Sequence, residues 1–160
     1  MDVAEPTLAR IDPEAQPPRS VRESGVAPWH RQVDAADLVG VAAALAAQDH
    51  AEAGEGTLAI IVPHAVRDAV AAAVHRATRT AEPGDGSEDL RDGVSVLTVR
   101  DAKGLEFDRV IVADPNGILT ESDRGLNDLY VALTRATQQL GVLHTGPLPV
   151  VLHRLKGAAA

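Results

Sequence analysis

The 160-residue sequence has no cysteine and only three aromatic residues, Trp29, Phe107 and Tyr130. Without cysteine, neither a disulfide framework nor a thiolate metal site is available, as in proteins of a reducing cytoplasm. Three aromatics are too few for a domain that grips single strands by stacking successive bases. The string GxxxxGK[ST] is also absent, and with it the backbone cradle and lysine that hold β and γ phosphates, which excludes a complete nucleoside triphosphatase on this chain. No GxSxG elbow surrounds any of the five serines (20, 24, 87, 95, 122), so acyl transfer has no support. The six histidines (30, 50, 64, 75, 144, 153) show no HExxH or other ligand spacing, and no metal site is expected. Residues 1–28 hold five of the ten prolines and charges throughout, which suits neither a secretory signal nor a membrane span. A soluble cytoplasmic protein without a membrane partner is the expectation.

Apolar residues make up 45% of the chain, chiefly Ala, Val and Leu, and the length is near that of one domain with one core. The formal net charge is −8, the wrong sign for a domain whose binding energy comes from neutralising phosphates. Any contact with nucleic acid must therefore be local.

Residues 1–28 read as a linker or edge segment, with weak strand signals at 20–23 and 29–33. Asp34 is a candidate N-cap for a helix of about four turns carrying Leu38, Val41, Ala42 and Leu45. The run TLAIIV at 57–62 predicts a strand covered on both faces and ended by Pro63, and Val66, Val70, Ala73, Val74 and Ala77 predict a second helix. Residues 80–93 form an acidic loop, and strands are expected at 94–99 and 109–113. Ser122 or Asp123 can cap a third helix with the stripe Leu126, Leu129, Tyr130 and Leu133, which carries Arg135 on its outward side. A last strand is expected at 139–144, and a short helical turn at 150–156. Strands alternating with helices predict a parallel sheet with helices on both faces.

Two clusters carry chemistry. In the first, residues 98–107 (TVRDAKGLEF), Gly104 permits a positive φ and close approach to a ligand. Arg100 and Lys103 offer positive charge, and Glu106 can accept hydrogen bonds from a ribose-like hydroxyl. The same pattern also fits a solvated turn. In the second, residues 127–137 (NDLYVALTRAT), Arg135 is either an ordinary exposed arginine or a cleft-facing one that stabilises charge on a transferring phosphoryl group.

TVRDAKGLEFDRVIV resembles motif V of UvrD-like superfamily 1 helicases (TxHxAKGLEF), and LYVALTRATQQL resembles their motif VI (YVALTRAxxxL). The resemblance implies a second RecA-like domain, an α/β fold with a parallel sheet flanked by helices and no phosphate loop of its own. It implies residues 29–156 as the motor domain, preceded by 1–28 and followed by a tail at 157–160. Lys103, Gly104 and Glu106 would face the nucleotide, Arg135 would be the catalytic arginine finger, and Thr98 and Arg100 would lie toward the nucleic-acid track. ATP would be shared with a first RecA-like domain that holds Mg²⁺, leaving this chain inactive alone as a helicase or translocase. Arg100 replaces the usual motif V histidine, Thr137 stands where a basic residue often follows TRA, and no motif IV is seen. PRSVRESGVAPW and VRDAKGLEFDRVIVADP are similar to the C-terminal part of actinobacterial HelD-like proteins, which recycle RNA polymerase. That resemblance implies polymerase, rather than DNA, as an alternative partner.

Overall fold

Short continuous apolar runs set the architecture, because successive side chains point to opposite faces and the central strands bury both. The computed structural model describes residues 26–53, 56–79, 93–153 and 156–157. In chain order the elements are β1 (Trp29–Gln32), α1 (Leu38–Ala53), β2 (Leu58–Ile61), α2 (His64–Arg79), β3 (Val94–Leu97), α3 (Val99–Ala102), β4 (Phe107–Ala113), α4 (Pro115–Glu121), α5 (Gly125–Leu133) and β5 (Ala136–His144). A 3-10 turn at Val150–Leu152 and β6 (Lys156–Gly157) follow.

The six strands run in the order β3-β2-β4-β5-β1-β6, and every pairing is parallel. Ala59 and Ile61 face one core with Val110, Val112, Leu140 and Val142, beneath Val99, Ala102, Ile118, Leu129, Ala132 and Leu133 of α3, α4 and α5. Leu58 and Ile60 face the other core with Ile111, Ala113 and Leu143, beneath Leu38, Ala42 and Ala46 of α1 and Val70, Ala73 and Val74 of α2. Each fully buried Leu, Ile or Val contributes roughly 1.5–3 kcal/mol relative to exposure. The expected α/β architecture, a parallel sheet with helices on both faces, is the one observed.

Several boundaries differ from expectation for local reasons. β3 stops at Leu97 and not at residue 99, because Thr98 caps a one-turn helix within what reads as a loop. β4 begins at Phe107 and not at 109, through an irregular register between Phe107 and Arg109 that turns Phe107 toward the α5 side of the sheet while Arg109 faces α1. The helix α4 was not expected. Asp114 caps it from a left-handed conformation (φ 61°), its carboxylate accepting from the Gly117 N–H at 3.0 Å, and Pro115 opens its first turn. Ser122 therefore ends α4, and Arg124 holds the cap position of α5 without a side-chain cap bond. The weak strand signal at 29–33 is β1, which lies between β5 and β6; of the expected linker or edge segment, residues 1–25 lie outside the described residues. The loop at 80–92, the strand signal at 20–23 and the end of the tail at 158–160 lie outside the described residues.

Candidate functional site

The segment from Thr98 to Glu106 carries the chain from β3 past β2 to β4, and its first turn is fixed by a reciprocal cap. The Thr98 hydroxyl donates to the Asp101 carboxylate at 2.8 Å and accepts from the Asp101 N–H at 3.3 Å, while the Thr98 N–H donates back to that carboxylate at 3.3 Å. This is the Thr-x-x-Asp form of a capping box, a signal already present in the sequence. The Thr98 hydroxyl and backbone, then Arg67 and Arg100, hold the Asp101 carboxyl below its ordinary range. Val99 and Ala102 are buried, which leaves Arg100 and Asp101 exposed on the opposite side of the turn.

Lys103 closes the helix, its N–H donating to the Arg100 carbonyl at 3.4 Å. Gly104 has φ 85°, and a Cβ there would meet nothing within 4 Å. The glycine is therefore required by backbone conformation, next to open space. Leu105 is 47% exposed and Glu106 is exposed beside it.

Arg135 is placed differently from the helical wheel expectation. The helix α5 ends at Leu133, so Arg135 is a half-buried turn residue between α5 and β5, and the outward direction read from helical spacing does not apply. Its side chain folds back against its own chain. Nε donates to the Val131 carbonyl at 3.2 Å, Nη1 to the Leu105 carbonyl at 3.1 Å, and Nη2 to the Thr134 hydroxyl at 3.3 Å. The Arg135 carbonyl in turn accepts from the Phe107 N–H at 2.9 Å. A guanidinium has five N–H donors. The three bonds leave one N–H on each terminal nitrogen for an anionic ligand.

The fold thus brings Gly104, Leu105, Glu106 and Arg135 together at the amino ends of β4 and β5, where Phe107 pairs with Ala136. It does not bring Thr98 and Arg100 to that edge; they follow the carboxyl end of β3. Thr137, which stands where a basic residue is common, donates its hydroxyl to the Phe107 carbonyl at 3.3 Å. Sequence reasoning passed over Thr134, whose hydroxyl lies 3.0 Å from both the Tyr130 and the Val131 carbonyls while accepting from Arg135. A threonine at a helix end, within reach of the carbonyls three and four residues back, is the available signal.

A cavity of about 520 Å³ lies on the α1 side of the sheet, lined by Trp29, Leu45, Asp49, Arg109 and Gln139 among others. None of the expected site residues lines it. Asp49 and Arg109 pair across its wall, with Nη2 donating to Oδ2 at 2.9 Å. Arg109 Nε lies 2.6 Å from Oδ1, but its N–H is not directed at that oxygen. Among the described residues, no group of three or more histidine, aspartate or glutamate side chains could hold a metal ion, and no helix is long and apolar enough to cross a membrane.

Residues 93–143 match the family model of the UvrD-like helicase C-terminal domain. Twenty-one chains of solved structures match this chain. One is the crystal structure of the C-terminal domain of a possible DNA helicase from Lactobacillus plantarum WCFS1, with a TM-score of 0.61 and 22% identity over 97% of this chain and 91% of that one. At that identity the likeness speaks to the fold alone, and it covers nearly the whole chain. No curated protein matches. The 51 matched residues span both expected clusters, from the residue before β3 to the penultimate residue of β5.

Proposed function

We propose that this UvrD-like domain is the second motor domain of a superfamily 1 helicase or translocase and supplies one half of a shared ATP site. The observation that carries the reading is the position of Arg135. It is fixed against the Leu105 carbonyl, beside exposed Glu106 and the open backbone of Gly104, with one N–H left on each terminal nitrogen. That fork suits a phosphate, which a planar guanidinium engages through paired donors. An exposed carboxylate suits a ribose hydroxyl, and Lys103 adds positive charge at the rim. The surface nevertheless has no phosphate loop, so a facing first motor domain must supply the cradle and Mg²⁺.

Bound ATP would supply a phosphoryl group whose charge is spread over its three equatorial oxygens during transfer. Arg135 would answer that charge from this side, Glu106 would orient the sugar, and Gly104 would let backbone approach closely. In the enzyme with both motor domains, Arg135→Ala should lower kcat by about 10³-fold or more with little change in ATP affinity. An equal loss of ATP binding would assign Arg135 to folding or simple binding.

A second reading is favoured by charge. With 23 acidic against 15 basic residues, the surface fits a protein partner such as RNA polymerase, as the HelD-like resemblance implies, better than a nucleic-acid duplex. Retention of polymerase by this chain, independent of nucleotide, would support that reading. A salt-sensitive single-strand complex would favour DNA.

A further inference from the structure

We propose that Thr134 is a positioning residue for Arg135, holding the guanidinium in the orientation it needs to meet a phosphate. This rests on the reading of Arg135 as the finger. Arginine carries a long side chain with large rotamer freedom, and a finger that must be found by chance among many rotamers is a weak catalyst. Here the rotamer is held at three points. Nε is bonded to the Val131 carbonyl, which also accepts from the Thr134 N–H where α5 ends, and Nη1 to the Leu105 carbonyl of the facing loop. Those two acceptors are backbone. Thr134 supplies the third, and it is the only one that a side-chain substitution can remove.

The Thr134 hydroxyl suits this task because it is itself oriented. It lies 3.0 Å from the Tyr130 and Val131 carbonyls, so its proton goes to the helix end and its lone pairs are left for the Arg135 Nη2–H at 3.3 Å. A β-branched residue has few χ1 choices, which keeps that oxygen in place. Val131 O thus receives Arg135 Nε and lies within reach of Thr134 Oγ1, so the helix terminus, the threonine and the arginine form one closed network. In that network each of Nη1 and Nη2 keeps one N–H, the arrangement that a bidentate contact with phosphate oxygens uses.

Two variants separate positioning from folding. Thr134→Val keeps the branched shape and loses the hydroxyl, and Thr134→Ser keeps the hydroxyl. In the 160-residue chain, the Nε–H resonance of Arg135 should exchange slowly with solvent in the wild type and in Thr134→Ser, and at least tenfold faster in Thr134→Val. In the enzyme with both motor domains, Thr134→Val should lower kcat by about tenfold with KM for ATP nearly unchanged, and Thr134→Ser should restore most of it. Unchanged Nε–H exchange in Thr134→Val would overturn the proposal, as would faster exchange with unaltered kcat while Arg135→Ala abolishes turnover. An Arg135→Ala variant that turns over ATP normally would instead remove the finger reading, and with it any role for Thr134 in catalysis.

Discussion

At the scale of single residues, Gly104 and Arg135 differ in what the sequence discloses. Gly104 stands in a run where a positive φ is the natural inference for glycine, and the observed 85° agrees. Because a Cβ would meet open space, Gly104→Ala should destabilise only through backbone strain, by roughly 1–2 kcal/mol. A lowered denaturant midpoint with unchanged slope would show this, and a change of several kcal/mol would indicate an unseen packing role. Arg135 was legible as a residue and not as a geometry. Helical spacing assigns it an outward direction only if the helix continues, and no local signal marks Leu133 as the last helical residue. What turns it back is a long-range acceptor, the Leu105 carbonyl thirty residues earlier, which no periodicity reveals.

Elements were legible where a pattern is strong. The runs that became β2, α2 and β5, buried by period two or by helical spacing, lie where the apolar residues place them. The two short helices α3 and α4 were missed because four and seven residues give no periodicity, although the Thr98-x-x-Asp101 cap and the Asp114-Pro115 start were present. β1 gave only a weak strand signal because two of its four residues are exposed, yet it pairs on both sides.

The pairing of β1 with β5 has a consequence for pH. His30 Nδ1 lies 3.0 Å from Nε2 of the buried His144, and His144 Nδ1 lies 2.6 Å from the Gly146 carbonyl. A carbonyl accepts only from N–H, so His144 carries its proton on Nδ1 and His30 donates to Nε2. Burial, then the neighbouring His144 and His153, lower the His30 pKa from its ordinary value near 6.5. The unfolded chain therefore binds more protons than the folded one just below pH 6.5, and stability present above that value is lost as pH falls through the lowered value. Thermal melting followed from pH 8 to 5 should show this decline, and His30→Gln should flatten it. A decline that is equally steep in the variant would place its source elsewhere.

For the whole molecule, the lack of a phosphate loop and the placement of the candidate residues agree. The 520 Å³ cavity lies on the α1 face of the sheet and holds none of those residues. They lie instead at the amino ends of β4 and β5, the edge that the proposed reading turns toward a facing motor domain. Composition gave this outline, since a missing GxxxxGK[ST] is visible without structure. It could not give the separation of Thr98 and Arg100, at the carboxyl end of β3, from Glu106 and Arg135, at the amino ends of β4 and β5. That separation follows from a crossover over β2 which only the sheet order shows.

The most direct test is ATP turnover by the purified chain alone and after addition of a first motor domain bearing an intact phosphate loop. The account predicts no turnover by the chain alone, and turnover on mixing that is lost with Arg135→Ala. Appreciable hydrolysis by the chain alone, or reconstituted hydrolysis indifferent to Arg135, would contradict it.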